Sequence, residues 1–289
     1  MALEIDYTPS PTILRFMQDD SKMRVLCGCV GSGKSVGSSF EVIRRASQQE
    51  PNASGVRKTR AAVVRETARQ LQDTTIKTFL DWFPPGVCGT YMRTTKTYFF
   101  KVGDVECEVM FRALDDSDDV ANLNSLELSF AWFNECRDIH PDIIDAMSKR
   151  IGRFPSAKDG GPTWYGMWGD TNPPTMDTWW YYQMEKLSPV DGVSTNDNGW
   201  AVFKQPSGRS QEAENIEIFR KDTTIPKEEA KTTYESTSTV STDSACPVCQ
   251  FISTSSQTTI WRGKNFATSI TAFAPSSSGW TSASLLPPL

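Results

Sequence analysis

Apolar and polar positions alternate in blocks along most of the chain, and the blocks read as strands and helices in turn. Val25-Leu26-Cys27 is an apolar run that ends in glycines and suits a buried strand. From Lys34 to Gln48 the pattern turns helical, with Val36, Phe40 and Val42 as inward positions. Ala61 to Arg65 repeats the strand signal. A helix is expected over 67–83, carrying Leu71, Thr74, Thr75, Phe79 and Trp82 and stopped by Pro84-Pro85-Gly86. Two alternating runs, 97–100 and 105–111, flank Gly103-Asp104 as a hairpin would, inserted beside the main sheet. Leu126 to Phe133 is apolar and ends on Asn134-Glu135; 139–151 reads as helix and 163–169 as extended chain before Thr171-Asn172-Pro173-Pro174. Strands alternating with helices favour an α/β fold, a mostly parallel sheet flanked by helices, with its sites at the C-terminal ends of the strands.

The two ends depart from this alternation. Residues 1–20 form a polar lead-in with two prolines, and 21–217 make up the α/β domain. From 232 to 289 there are 13 serines and 11 threonines without periodic apolar faces. The stretch 218–289 is expected to be a disordered or irregular tail.

Composition narrows the classes. With 38% of its 289 residues hydrophobic the chain can bury a core, and it has neither an apolar run long enough to span a membrane nor the order of a signal peptide, so a cytosolic protein is expected. A net charge of -5 means that any polyanion contact is local. Seven cysteines, mostly scattered singly, suit reduced thiols, and the lone His140 excludes a Ser-His-Asp triad or a multi-histidine metal site.

The sharpest chemistry lies at Gly28-Cys29-Val30-Gly31-Ser32-Gly33-Lys34-Ser35, which matches G-x-x-x-x-G-K-[ST] between a predicted strand and a predicted helix. Gly28, Gly31, Ser32 and Gly33 let backbone N–H groups converge on phosphate oxygens. Lys34 would neutralise the β- and γ-phosphates of ATP, and Ser35 would ligate Mg²⁺. Glu135, at the tip of the run ending Phe133-Asn134, can orient and polarise an attacking water. Asn134 stands where an aspartate is usual; it could hold a metal-bound water but adds no charge to Mg²⁺. Thr171 and Asn172, at the end of the next strand, are placed to sense the γ-phosphate and pass its loss on. Arg65, Arg150 and Arg153 are candidate arginine fingers among which the residues do not choose. Gln18 is a weak candidate for adenine. The cluster Trp179-Trp180-Tyr181-Tyr182 reads as packing, Asp115 to Asp119 as a solvated turn, and the single C-x-x-C at Cys246 and Cys249 as no zinc site.

Taken in order, the phosphate loop, Ala62-Val63-Val64-Arg65 with Thr75 beyond it, Asn134-Glu135, 149–154, Thr171 to Pro174, Phe203 to Gly208 and Ala213-Glu214-Asn215-Ile216 resemble the large terminase subunit of tailed bacteriophages over roughly residues 10 to 217. The resemblance implies a P-loop NTPase of the ASCE type that uses ATP and Mg²⁺. It would dock on the portal protein of a procapsid, work with the small terminase subunit in a homo-oligomeric ring and drive double-stranded DNA inward. Such a motor would act in the cytoplasm of the infected host, transiently at the portal, and at no membrane. Glu135 and Lys34 would be catalytic, and Asn172 part of the coupling motif.

The family's C-terminal nuclease is expected to be absent from this chain, which looks truncated. Read two nucleotides out of register, the codons of 275–287 admit Ile-Ile-Gly-Met-Asp-Phe-Gly-Leu-Thr-Pro, similar to the first metal-binding strand of that nuclease. Those of 220–224 admit Gly-Tyr-Tyr. A frameshift near 217–219 would account for the tail. Two rival readings stand beside the motor: a helicase or other P-loop motor, and a nucleotide-binding module without turnover.

Overall fold

Apolar runs of five or six residues have too few polar positions to face water on either side, and here they are covered on both, as a parallel sheet requires. The computed structural model describes residues 4–114, 123, 125–186, 199–208, 210 and 212–214, and beyond these only the backbone of three short strands. In chain order the elements are β1 (Glu4–Tyr7), α1 (Pro11–Gln18), β2 (Met23–Cys27), α2 (Lys34–Ser47) and β3 (Arg57–Arg65). A helix α3 follows over 68–82, π-helical across Leu71–Ile76, then β4 (Gly89–Met92), β5 (Thr97–Val102) and β6 (Val105–Ala113). After these come β7 (Phe130–Asn134), α4 (Pro141–Ser148), β8 (Gly166–Thr171), α5 over 179–186 and β9 (Trp200–Lys204).

Eight strands make one sheet in the order β4-β5-β6-β3-β7-β8-β2-β9. From β6 to β9 every neighbouring pair is parallel, and only β5 runs against the rest. The expected hairpin therefore extends the sheet: β6 pairs with β3 along its whole length, Arg57 opposite Val105 through Arg65 opposite Ala113. Strand residues alternate between two cores. Leu26, Phe130 and Trp132 face α1, α2 and α3, whereas Val25, Ala131 and Phe133 face α4 and α5. The tryptophans of 179–182 fill this second core in part. Trp180 is buried, donates its indole N–H to the Ile139 carbonyl at 3.1 Å, and packs edge-on against Trp200.

The lead-in carries a strand and a helix, β1 and α1. Pro11 opens α1, and Ile13, Phe16 and Met17 recur at helical spacing and are buried, with Phe16 edge-on to Phe203 of β9 at 5.7 Å. Each such side chain removed from water is worth about 1.5–3 kcal/mol, enough to hold a two-turn helix that would not form alone. Residues 115–119 and most of 218–289, including both segments of the out-of-register reading, lie outside the described residues. The exception is the backbone of β10 (Cys249–Ser253), β11 (Thr259–Gly263) and β12 (Thr271–Ala272), which pair antiparallel in sequence order, β10 also with β1. Among the described residues no helix is long and apolar enough to cross a membrane.

Candidate functional site: a phosphate loop facing two strand tips

The parallel order puts the ends of β2, β8 and β7 side by side, and the loop from β2 into α2 runs across them. Gly33 takes a left-handed backbone, φ 85°, as it caps α2, leaving the first-turn N–H groups of a 14-residue helix without intrahelical partners. This is a preformed anion-binding end. Gly28 leaves room for a neighbouring side chain. A Cβ there would come within 2.0 Å of Gln205 Oε1, because Gln205, just past β9, lies against the loop. Gln205 accepts from Ser32 Oγ at 2.6 Å and donates to the Ser32 carbonyl at 3.1 Å and to Glu214 Oε2 at 2.9 Å. Glu214 in turn accepts from Ser10 Oγ and the Thr12 backbone N–H. The loop is thus tied to α1 and to the segment after β9.

Lys34 is buried and its ammonium donates to the Cys29 carbonyl at 2.7 Å and to Asn172 Oδ1 at 3.0 Å. The backbone N–H of Asn172 donates to Glu135 Oε2 at 3.4 Å. Lys34 and Glu135 therefore converge on one residue from two sides. Glu135 has φ 52°, a left-handed conformation that costs a non-glycine residue roughly 1–2 kcal/mol and turns the chain out of β7. Thr171 is fully buried and its hydroxyl donates to the Asn172 carbonyl at 2.9 Å, bracing the same turn.

One carboxylate in this place went unremarked in the sequence. Asp170, the penultimate residue of β8, is paired in register with Asn134 of β7 and is fully buried. Its Oδ2 accepts from Ser35 Oγ at 3.0 Å, and its Oδ1 accepts from the Trp132 indole at 2.5 Å. Asn134 Nδ2 lies 3.1 Å from both carboxylate oxygens and 3.1 Å from Ser35 Oγ. Burial pushes the Asp170 carboxyl upward, against the pull of Trp132, Lys34 and Asn134. The signal in the sequence is that Asp170 ends an apolar run, directly before Thr171-Asn172-Pro173-Pro174.

Asn134 uses its other end elsewhere. Its Oδ1 accepts from Arg65 at 2.5 Å and from Thr75 Oγ1 at 2.6 Å. Thus Asn134 turns amide N–H groups, not its carbonyl, toward Ser35. Of the three arginines only Arg65 is brought to this edge. Arg150 and Arg153 exchange backbone hydrogen bonds with Leu128, ahead of β7, six residues and roughly 20 Å of strand from Asn134. Gln18 is exposed at the end of α1.

The family model described as phage terminase large subunit matches residues 20–204. Among solved structures the chain is similar to the large terminase from the thermophilic bacteriophage D6E, with a TM-score of 0.52 at 12% identity over 68% of this chain and 46% of that one. It is similar too to the same terminase in complex with ADP, with a TM-score of 0.51 at 11% identity over 68% and 45%. The chain thus spans less than half the length of these two structures, and at such identity they speak for the fold. No curated protein sequence matches the chain significantly. A match over most of the described strands, a helix-capping phosphate loop and two strand tips facing it are features of one lineage, and the chain belongs to the phage terminase large subunit family.

Proposed function

We propose that this chain is an ATP-hydrolysing motor domain that drives double-stranded DNA into a procapsid. The observation that carries the proposal is the convergence of Lys34 and Glu135 on Asn172 beside the open end of α2. The first turn of α2 and the glycines before it would cradle the phosphates, and the Lys34 ammonium, held at Asn172 without them, would move onto the β- and γ-oxygens. Glu135 would orient a water for in-line attack on the γ-phosphorus and accept its proton as the bond to the bridging oxygen breaks and ADP leaves.

When bound, Mg²⁺ would neutralise charge developing on the bridging and terminal oxygens. The donors present suit it, since Ser35 offers a hydroxyl oxygen and nucleotide phosphates with waters complete the shell of such an ion. Arg65, within the same molecule and bonded to Asn134, would add positive charge. Arg150 and Arg153 would serve only the site of a neighbouring subunit, as in a homo-oligomeric ring. The small terminase subunit and the portal protein are the partners such a motor requires.

The test is phosphate release by the purified chain, with and without linear duplex DNA and portal-bearing procapsids. The motor reading expects turnover stimulated by the two together. Strand separation in place of duplex uptake would mark a helicase, and nucleotide binding with no release under any condition would mark a binding module.

A further inference from the structure

The carboxylate that meets the Ser35 hydroxyl of the phosphate loop is on a strand that the sequence motifs do not assign to it. We infer that Asp170 of β8, and not Asn134 of β7, supplies the protein carboxylate of the magnesium site. The inference rests on nucleotide binding by the loop as proposed above.

Three observations lead there. First, the hydroxyl that would face the metal already points at this carboxylate, with Ser35 Oγ 3.0 Å from Asp170 Oδ2. Second, Asn134 offers the wrong polarity. Its carbonyl oxygen is taken by Arg65 and Thr75, and N–H groups, which cannot ligate a cation, face Ser35 and Asp170. Third, the carboxylate is held in place by groups that would remain when a metal arrives. Trp132, on β7, donates to Oδ1 and Asn134, on the same strand, to both oxygens, so that Oδ2 is the oxygen shared between Asn134 and the Ser35 hydroxyl. A hydroxyl that ligates a metal can still donate its proton to that same oxygen, so Ser35 and Asp170 can serve one ion together. The neutral residue at the tip of β7 is thereby offset by an acid directly across the parallel pairing, Asn134 opposite Asp170. Asn134 and Trp132 act as positioning residues for that acid.

The two positions can be separated experimentally with the full chain, using Mn²⁺ as the probe. Free Mn²⁺ is followed by electron paramagnetic resonance as it is titrated into protein saturated with ADP, and ADP affinity in EDTA is measured alongside. Asp170→Asn is expected to weaken Mn²⁺ binding by roughly 10- to 100-fold while metal-free ADP affinity stays unchanged. In the double variant Asn134→Asp with Asp170→Asn, which moves the carboxylate to the neighbouring strand, Mn²⁺ binding should recover. Unchanged Mn²⁺ affinity in Asp170→Asn would overturn the inference. Failure of the unaltered chain to bind ADP in EDTA would instead overturn the nucleotide-binding reading beneath it. Since Asp170 is buried and its variant could fail to fold, a crystal of the unaltered chain with Mn²⁺ and ADP gives an independent answer. Anomalous scattering should place the ion beside Ser35 and Asp170 Oδ2, and an ion resting on a flipped Asn134 carbonyl, away from Asp170, overturns the assignment.

Discussion

Asn172 joins Lys34 to Glu135: its side-chain carbonyl accepts from the Lys34 ammonium at 3.0 Å and its backbone N–H donates to the Glu135 carboxylate at 3.4 Å. Losing γ-phosphate would free Lys34 to return to Asn172, and the turn carrying Asn172 and Pro173 would feel it. Asn172→Ala is expected to leave nucleotide affinity little changed and to lower turnover by about 10- to 100-fold, the worth of one hydrogen bond to a charged group. Calorimetric ADP titration beside a phosphate-release assay checks the split; equal loss in both would assign Asn172 to binding alone.

Lys34 and Glu135 should fail in different ways. Lys34→Ala removes the charge that meets the phosphates and should abolish nucleotide binding together with turnover. Glu135→Gln keeps the shape and loses the base, so ATP should still bind while turnover drops by about 10²- to 10⁴-fold. Equilibrium binding of a fluorescent ATP analogue distinguishes the two.

Gly28 and Gln205 occupy one volume. Gly28→Ala would drive a methyl group into Gln205 Oε1, displacing a side chain that also holds Ser32 and Glu214. The single variant is expected to lose stability and nucleotide affinity. Combined with Gln205→Ala, the stability loss should fall short of the sum of the two single variants by about 0.5–3 kcal/mol in chemical denaturation. Strict additivity would show that the loop is not held by that contact.

Glu41 is the charge on which the far side of α2 depends. It is fully buried with Arg24 of β2 and with Arg44 and Arg45 of its own helix, while the exposed Asp20 partners Arg45 from outside. Burial by itself would raise the Glu41 carboxyl, but the three guanidiniums hold it down at about 2, and burial draws Arg24 down to about 10. Since the folded value lies below the unfolded one, the contribution is complete above about pH 4.5 and is lost as pH falls toward 2. Glu41→Gln takes from Arg24, Arg44 and Arg45 the buried anion that they share and should cost roughly 3–5 kcal/mol at neutral pH, with the acid-side slope between pH 4.5 and 2 flattened. Denaturant midpoints measured across that range test both statements.

The phosphate loop was legible because its chemistry is contiguous. A strand, a glycine turn and a helix start lie within one stretch of chain, and local backbone rules place Lys34 and Ser35 at the helix mouth whatever surrounds them. The alternation of strands and helices was legible for the same reason, since periodicity acts over a few residues. Helix α1 was not, because Ile13, Phe16 and Met17 are too few to announce a helix until β9 offers Phe203 to pack against. Likewise, nothing near Asp170 in the chain says that Ser35 lies beside it, or that Gln205 lies over Gly28. Those neighbours are set by which strands pair and in what register: β8 enters between β2 and β7, and a shift of one residue would turn Asp170 away from the loop into the opposite core. Local patterning specified the elements and the glycine loop, while long-range strand pairing chose Asp170, the Asn172 turn and the Gln205 brace that surround it.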